Sequence, residues 1–211
     1  MAFVQSSPVR DSHPANRGAG TPANLSVNLS DLAHNNVAMH PIESTTLRLE
    51  PLTVAHAEEV FESLSSPALY DYMPGAPPLS VATLRERYAK LARGTSADGQ
   101  QLWLNWIIRL ASGRCVGFVQ ATIYPERTGD FAFVLAPEHW GRSVAFEACQ
   151  AAIPYIANEF RVTELFATVD PNNTRSIGLL TRLGFNEVAP ARYPHGEVEP
   201  NDRVFSLPCR G

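Results

Sequence analysis

The feature that most constrains this chain is a change of hydrophobic period at Pro137. Before it lie three apolar runs with strand character, Leu102 to Leu110, Cys115 to Tyr124 and Gly129 to Leu135, parted by the turns Ala-Ser-Gly-Arg and Pro-Glu-Arg-Thr. They predict an antiparallel meander. After it, Cys149, Ile153, Ile156 and Phe160 recur at steps of four, three and four, the spacing of one buried helix face. Pro154 falls inside that helix and is expected to kink or end it. Leu165, Ala167 and Val169 then share one side of a strand, and Asp170-Pro-Asn-Asn makes a turn and cap. A helix from Thr174 to Leu183 and strands Phe185 to Ala189 and Arg203 to Leu207 close the chain. Upstream, Thr46 to Glu50 alternates as a strand until Pro51. A helix capped by Thr53 buries Ala57, Val60, Phe61 and Leu64, and a second, after Ser80, buries Val81, Leu84, Tyr88 and Leu91. The sum is an α/β fold, a mixed sheet of about six to seven strands with helices on both faces.

Length and composition bound the rest. At 211 residues the chain suits one core, and residues 1 to 43, rich in Ser, Pro, Asn, Ala and Gly without sustained period, read as a flexible tail before a domain over 44–211. A formal charge of −4 with scattered arginines gives no basic field, so no nucleic-acid partner is expected. No run reaches the length of a membrane span, and the opening residues turn polar too early for a signal-peptide core. Cys115, Cys149 and Cys209 have the spacing of neither a disulfide framework nor a zinc site. The six histidines form no ligand pair either, so no metal is expected. A cytoplasmic protein, monomeric or homodimeric, fits these features.

Chemistry concentrates in the strand, turn and helix that run from Gly129 to Ala148. The turn opens a helix whose start holds Gly141 and Ser143, and such a start offers free backbone N–H groups to one anion, assisted by the helix dipole. Gly141 permits close approach and Arg142 adds charge. Asp130, by its place near a turn, reads as a solvated strand charge. Asn173 reads as an N-cap and Ser176 as a first-turn residue. Trp103 and Trp106, three apart on a strand, point to opposite faces and form no stacking platform.

The segment His139-Trp-Gly-Arg-Ser-Val-Ala-Phe-Glu-Ala resembles the acetyl-CoA-binding motif of GNAT acetyltransferases, Gln/Arg-x-x-Gly-x-Gly/Ala, and is most similar to the RimJ/RimL-type branch. Asp170-Pro-Asn-Asn-Thr-Arg-Ser-Ile-Gly-Leu-Leu-Thr-Arg-Leu-Gly-Phe resembles that branch's second block. With Thr46-Leu-Arg-Leu-Glu-Pro-Leu and Arg203-Val-Phe-Ser-Leu, the resemblance covers about residues 45 to 207. It departs from the motif at Ser143, in place of the second Gly or Ala, and at Glu138, in place of the leading Gln or Arg. A serine keeps the backbone conformation if φ is negative there, whereas Glu138 near a polyphosphate repels it.

The resemblance implies acetyl transfer from acetyl-CoA to a primary amine, a protein N-terminus or a small molecule, by direct attack without a covalent enzyme intermediate. It implies that the strand Phe131 to Leu135 splays from its parallel neighbour at 163 to 169 and pairs its backbone, at Phe133, Val134 and Leu135, with the pantetheine arm. Trp140, Gly141, Arg142, Ser143, Val144, Ala145 and Asn173 complete the cofactor site. Asp130 stands where many members carry a base, with Glu126, His139 and His195 as weaker candidates. Ser176 is the implied donor to the leaving thiolate, and Glu147 a structural partner. Tyr70, Tyr72 and Met73 wall the acceptor region, with His195 as a further acceptor contact. The runner-up is a GNAT-fold module that binds CoA or a peptide without catalysis, supported by Ser143 and Glu138.

Overall fold

A computed structural model describes residues 39–209, so the tail assigned to residues 1–43 lies almost wholly outside the described residues. The chain runs β1 Ile42–Glu43, β2 Leu47–Pro51, α1 His56–Leu64, α2 Val81–Leu91, β3 Leu102–Leu110, β4 Cys115–Ile123, β5 Thr128–Leu135, α3 Val144–Glu159, β6 Glu164–Val169, α4 Thr174–Arg182, β7 Asn186–Val188 and β8 Arg203–Pro208. The strands form one mixed sheet in the order β1-β2-β3-β4-β5-β6-β8-β7. The strand beyond the expected count is β1, whose Ile42 and Glu43 fall in the stretch that composition reads as tail. They pair with Leu49 and Arg48 at the sheet edge, a contact too short to show as a sequence period.

Alternation along the strands builds two cores. In β3, Leu104, Trp106 and Ile108 join one cluster while Ile107 joins the other, and in β5 Phe133 and Leu135 face away from Val134. The first cluster takes Ala148, Cys149, Ala152 and Ile156 of α3 and Leu180 of α4. The second takes Ala57, Val60 and Leu64 of α1 with Leu84 and Tyr88 of α2. Helices therefore cover both faces.

Two local expectations, that Pro154 ends its helix and that Thr53 caps the first, fail for identifiable reasons. Pro154 neither ends α3 nor precedes a break, because the helix runs from Val144 to Glu159 through it. Pro154 and Gln150, whose carbonyl loses its partner, lie on the exposed side where water can serve it, while Cys149, Ala152 and Ile156 are fully buried opposite. Thr53 does not cap α1 with its side chain, since the helix has Ala55 at its N-cap and no side-chain cap bond. The roles are reversed: the Thr53 N–H donates to His56 Nδ1 at 3.0 Å. α2 starts after Ser80 as expected, with the Ser80 side chain accepting from the Thr83 N–H at 3.1 Å.

Candidate active site

The site begins where two parallel strands part. β5 and β6 pair at Thr128 with Glu164, Gly129 with Leu165 and Asp130 with Phe166, and there the pairing stops. Beyond that point Phe131 to Leu135 stay bonded to β4, while Ala167 to Val169 stay bonded to β8. The sheet thus splits into a V whose inner β5 edge carries backbone groups without a strand partner.

A cleft of about 670 Å³ occupies this opening and extends over the start of α3. Phe133 and Leu135 line it from β5, and Trp140, Gly141, Ser143, Val144 and Ala145 from the turn and helix start. Asn173 and Ser176 close it from α4. Two residues of the expected cofactor set keep their side chains out of the cleft lining, which leaves the backbone role expected of Val134 untouched. The Val134 side chain is buried in the opposite core, and Arg142 is exposed outside the cleft lining. Strand alternation accounts for the first, and the left-handed residues on either side of Arg142 for the second.

Those residues are Gly141, φ +72°, and Ser143, φ +60°, so the negative φ that would let a serine keep the motif's conformation is not what Ser143 adopts. A serine here adopts the conformation that glycine supplies without strain. The amides of residues 141–146 donate to no backbone acceptor among the described residues, the first bond of the turn being Glu147 N–H to Ser143 O at 2.9 Å. A methyl built on Gly141 meets nothing within 4 Å, so the approach to these amides is open. The cradle is anchored from behind: Trp140 Nε1 donates to Leu135 O at 2.7 Å, and Glu147 accepts from the Thr46 N–H and hydroxyl at 2.7 and 2.6 Å. Glu138 is not in the cleft lining, and its exposed carboxylate pairs with Arg114 at 3.5 Å. The repulsion expected from it is therefore directed away from the cleft.

α4 contributes more than the sequence reading found. Arg175, Leu179 and Arg182 line the cleft together, at the i, i+4 and i+7 spacing that marks one helix face. The Arg175 guanidinium lies 4.6 Å from the Trp140 ring centre, and that of Arg182 4.1 Å from Phe146. Asn173 caps the helix by accepting from the Ser176 N–H at 3.3 Å. The Ser176 hydroxyl itself is buried with no hydrogen-bond partner, as is His139 Nε2. A buried hydroxyl without a partner is costly unless something else meets it, and both residues line the cleft.

Asp130 is placed at the apex of the V, outside the lining of this cleft. Its buried carboxylate accepts from Tyr124 Oη at 2.8 Å and Tyr193 Oη at 3.0 Å, and contacts His195 Nδ1 at 2.7 Å. His195 Nε2 lies 2.7 Å from Thr128 Oγ1, and its ring stacks on Tyr124 with centres 3.8 Å apart. Burial and the neighbouring Asp130 charge push the phenols of Tyr124 and Tyr193 well above their ordinary range, so both remain donors to that carboxylate. Of this cluster, Tyr193 and His195 line a second cavity, of about 350 Å³, together with Tyr70, Tyr72 and Met73. Glu126 lines neither space, and His139 belongs to the first. Asp71 and Tyr72 border both cavities, so the two meet there.

Among the described residues no cluster of metal-ligating side chains occurs, and no helix is long and apolar enough to cross a membrane. All three cysteines are unpaired, and burial pushes the Cys115 thiol up to about 12. They offer no reactive thiolate at neutral pH.

Comparison with known proteins accords with this geometry. The profile of the family described as Acetyltransferase (GNAT) domain matches residues 46–186. A Bacillus licheniformis protein, "Uncharacterized N-acetyltransferase p20", is 25% identical over 151 residues, covering 71% of this chain and 84% of its own. The ribosomal-protein-S5-alanine acetyltransferase of Vibrio fischeri shares the fold with a TM-score of 0.66 at 16% identity, over 81% of this chain and 97% of its own. Mycobacterium smegmatis RimJ, solved in complex with CoA-disulfide, does so with a TM-score of 0.65 at 17% identity, over 80% and 86%. The family match spans well over half the chain and coincides with the split sheet and the open helix start: this protein belongs to the GNAT acetyltransferase family.

Proposed function

We propose that residues 44–211 form an N-acetyltransferase domain that transfers an acetyl group from acetyl-CoA to a primary amine in a ternary complex. The observation that carries the reading is one cleft that combines a parted strand edge, six unbonded amides at a helix start and an orphan buried hydroxyl. The amides of 141–146, with Arg175 and Arg182 close by, suit a polyphosphate. The unpaired β5 edge suits an amide-bearing arm, and polarises a carbonyl that reaches it.

In the reaction the neutral amine attacks the thioester carbonyl carbon, the C–N bond forms, and the C–S bond breaks as the oxyanion collapses. The thiolate takes a proton and the amide nitrogen loses one, so an ammonium acceptor gives amide, CoA thiol and one released proton. Ser176 is proposed to hydrogen-bond the leaving sulfur, which would give its hydroxyl the partner it lacks within the protein. Asp130 is proposed to act through its neighbours as a positioning residue. Tyr193 and His195, both bonded to it, reach the acceptor cavity where the amine's proton is lost. Proximity of amine and thioester supplies much of the rate. The catalytic reading is favoured over the non-catalytic alternative by the pairing of Glu138 with Arg114 outside the cleft lining and by the glycine-like conformation of Ser143.

The test is calorimetric titration with acetyl-CoA, followed by turnover of Ser176→Ala and Asp130→Asn. Micromolar binding is expected, with ATP much weaker. Ser176→Ala is expected to lower kcat by roughly tenfold or more with unchanged acetyl-CoA affinity and an undiminished Tm, since it deletes an unsatisfied hydroxyl. Asp130→Asn is expected to lower kcat/KM for the amine while acetyl-CoA affinity holds. Absent binding sinks the reading, and unchanged turnover sinks the role of the residue concerned.

A further inference from the structure

The second cavity has walls of one charge. Asp71, Asp170, Glu197, Glu199 and Asp202 all line it, and no lysine or arginine does. They come from three places: the loop after α1, the end of β6, and the segment before β8. Among the described residues none of the five carboxylates has an ion-pair partner, although the same protein pairs Glu43, Glu50, Glu58, Glu59, Glu138, Glu164 and Glu187 with arginines elsewhere. Among the described residues the Asp170 carboxylate is met by the Asn172 N–H and side-chain amide, at 2.7 and 2.9 Å. The chain's whole formal charge is −4, so five uncompensated carboxylates around one cavity are a local concentration and not a reflection of composition.

Four further observations mark this as a place for a ligand. The cavity meets the donor cleft at Asp71 and Tyr72, and that cleft ends in the buried, unpartnered Ser176 hydroxyl. Phenol rings of Tyr70, Tyr72 and Tyr193 stand among the carboxylates, and such faces attract cations. Tyr72 is 42% exposed, one of the few large apolar side chains left open to solvent, and it stands at the junction of the two spaces. Burial, and then Asp170 and Glu199, raise the Asp202 carboxyl above its ordinary range, the response of a carboxylate among like charges.

We infer that this cavity selects small amines carrying a second cationic centre, the distal charge resting among Glu197, Glu199, Asp202 and Asp170 while the reacting nitrogen reaches the thioester past Asp71 and Tyr72. The inference rests on the acetyltransferase reading above and names its acceptor class. The cavity's volume, about 350 Å³, suits a compact amine more than a folded protein's terminus. A distal cation replaces the missing counter-charge of the walls. A monoamine does not, because its single charge must be given up before it attacks. Besides the carboxylates and the phenols of Tyr70, Tyr72 and Tyr193, the space is faced by His195, which is engaged by Asp130 and Thr128.

The experiment compares 1,4-diaminobutane with n-butylamine at saturating acetyl-CoA, at low and at high salt, with calorimetric binding of each amine to the CoA-bound protein. We expect kcat/KM at least roughly tenfold higher for the diamine at low salt, shrinking as salt screens the walls. Glu199→Gln and Asp202→Asn are each expected to bring the ratio of diamine to monoamine toward one. Equal kcat/KM for both amines overturns the inference and leaves acetyl transfer standing. Acetylation of neither amine, with tighter calorimetric binding of the diamine, supports the cation-selective cavity and overturns the diamine as acceptor, while the catalytic reading stands or falls with acetyl-CoA binding. Neither transfer nor selective binding overturns the inference. Higher kcat/KM for a peptide beginning Ala-Lys-Lys than for the diamine overturns the small-amine assignment in favour of a basic N-terminus.

Discussion

Ser143 shows how one residue can hold a binding turn at a cost. Its φ of +60° places an L side chain in the left-handed region, worth about 1–2 kcal/mol of strain, at the residue preceding the helix that opens the donor cleft. Glycine removes the strain but adds about 0.4–1 kcal/mol of unfolded-state entropy, so Ser143→Gly is expected to leave stability within about 1 kcal/mol of the parent. It should bind acetyl-CoA at least as tightly. Ser143→Val places a β-branched side chain in the same conformation and is expected to lose about 1–3 kcal/mol and to bind acetyl-CoA roughly tenfold more weakly. Thermal melts and calorimetry of the pair check this, and a valine variant that binds like the parent would show that the turn does not depend on its left-handed residue. The sequence marks this site through Gly141 and the helix start, but the sign of φ at Ser143 is invisible in it. Serine is compatible with either hand, and only the surrounding turn decides.

At the scale of elements, the split between β5 and β6 depends on how closely β5 is held to β4. Gly117 on β4 lies opposite Leu135, and a methyl built there falls 2.1 Å from the Val134 carbonyl oxygen. No rotamer relieves a clash between Cβ and backbone. Gly117→Ala is therefore expected to shift the outer half of β5, costing about 1–3 kcal/mol and raising KM for acetyl-CoA, because Phe133 and Leu135 line the cleft from that half. A fall in Tm with unchanged KM would show that the cleft tolerates the shift. The meander, α3, β6 and α4 are legible in the sequence because their apolar periods are long and their turns carry Gly, Pro, Asn or Asp. The acidic wall is not. Glu197, Glu199 and Asp202 sit in an aperiodic stretch, and only the pairing of β8 with β6, Val169 against Arg203, brings them beside Asp170. Tyr193 and His195 reach Asp130 by the same loop, so the expected base acquires its partners through topology rather than spacing.

Across the whole molecule, the N-terminal strands and the cofactor-side helix are stitched together before any ligand arrives. Trp106 Nε1 donates to His40 O at 3.1 Å, the His40 N–H donates to Tyr155 Oη at 3.1 Å, and Thr46 donates twice to Glu147 in the first turn of α3. The last contact makes the orientation of α3, and so of the amide cradle, sensitive to acid. Burial pushes the Glu147 carboxyl up, but hydrogen bonds from the Thr46 side chain and backbone, the Ser44 side chain and the Thr45 backbone outweigh it and hold the group below its ordinary value of 4.5. A carboxyl depressed in the folded state contributes stability that is fully present above its unfolded value and is lost as pH falls through the folded one. This contribution is therefore constant from neutral pH to about 5, and declines only below about 4.5. Glu147→Gln keeps the size of the side chain and much of its acceptor capacity but removes the titration. The variant is expected to have a slightly lower Tm than the parent at pH 7, and the gap between the two should close as pH is lowered from 5 toward 3. Melting curves across that range check it. A gap that stays constant down to pH 3 would mean that the Thr46 contact holds α3 by shape alone, with no part played by the charge of Glu147.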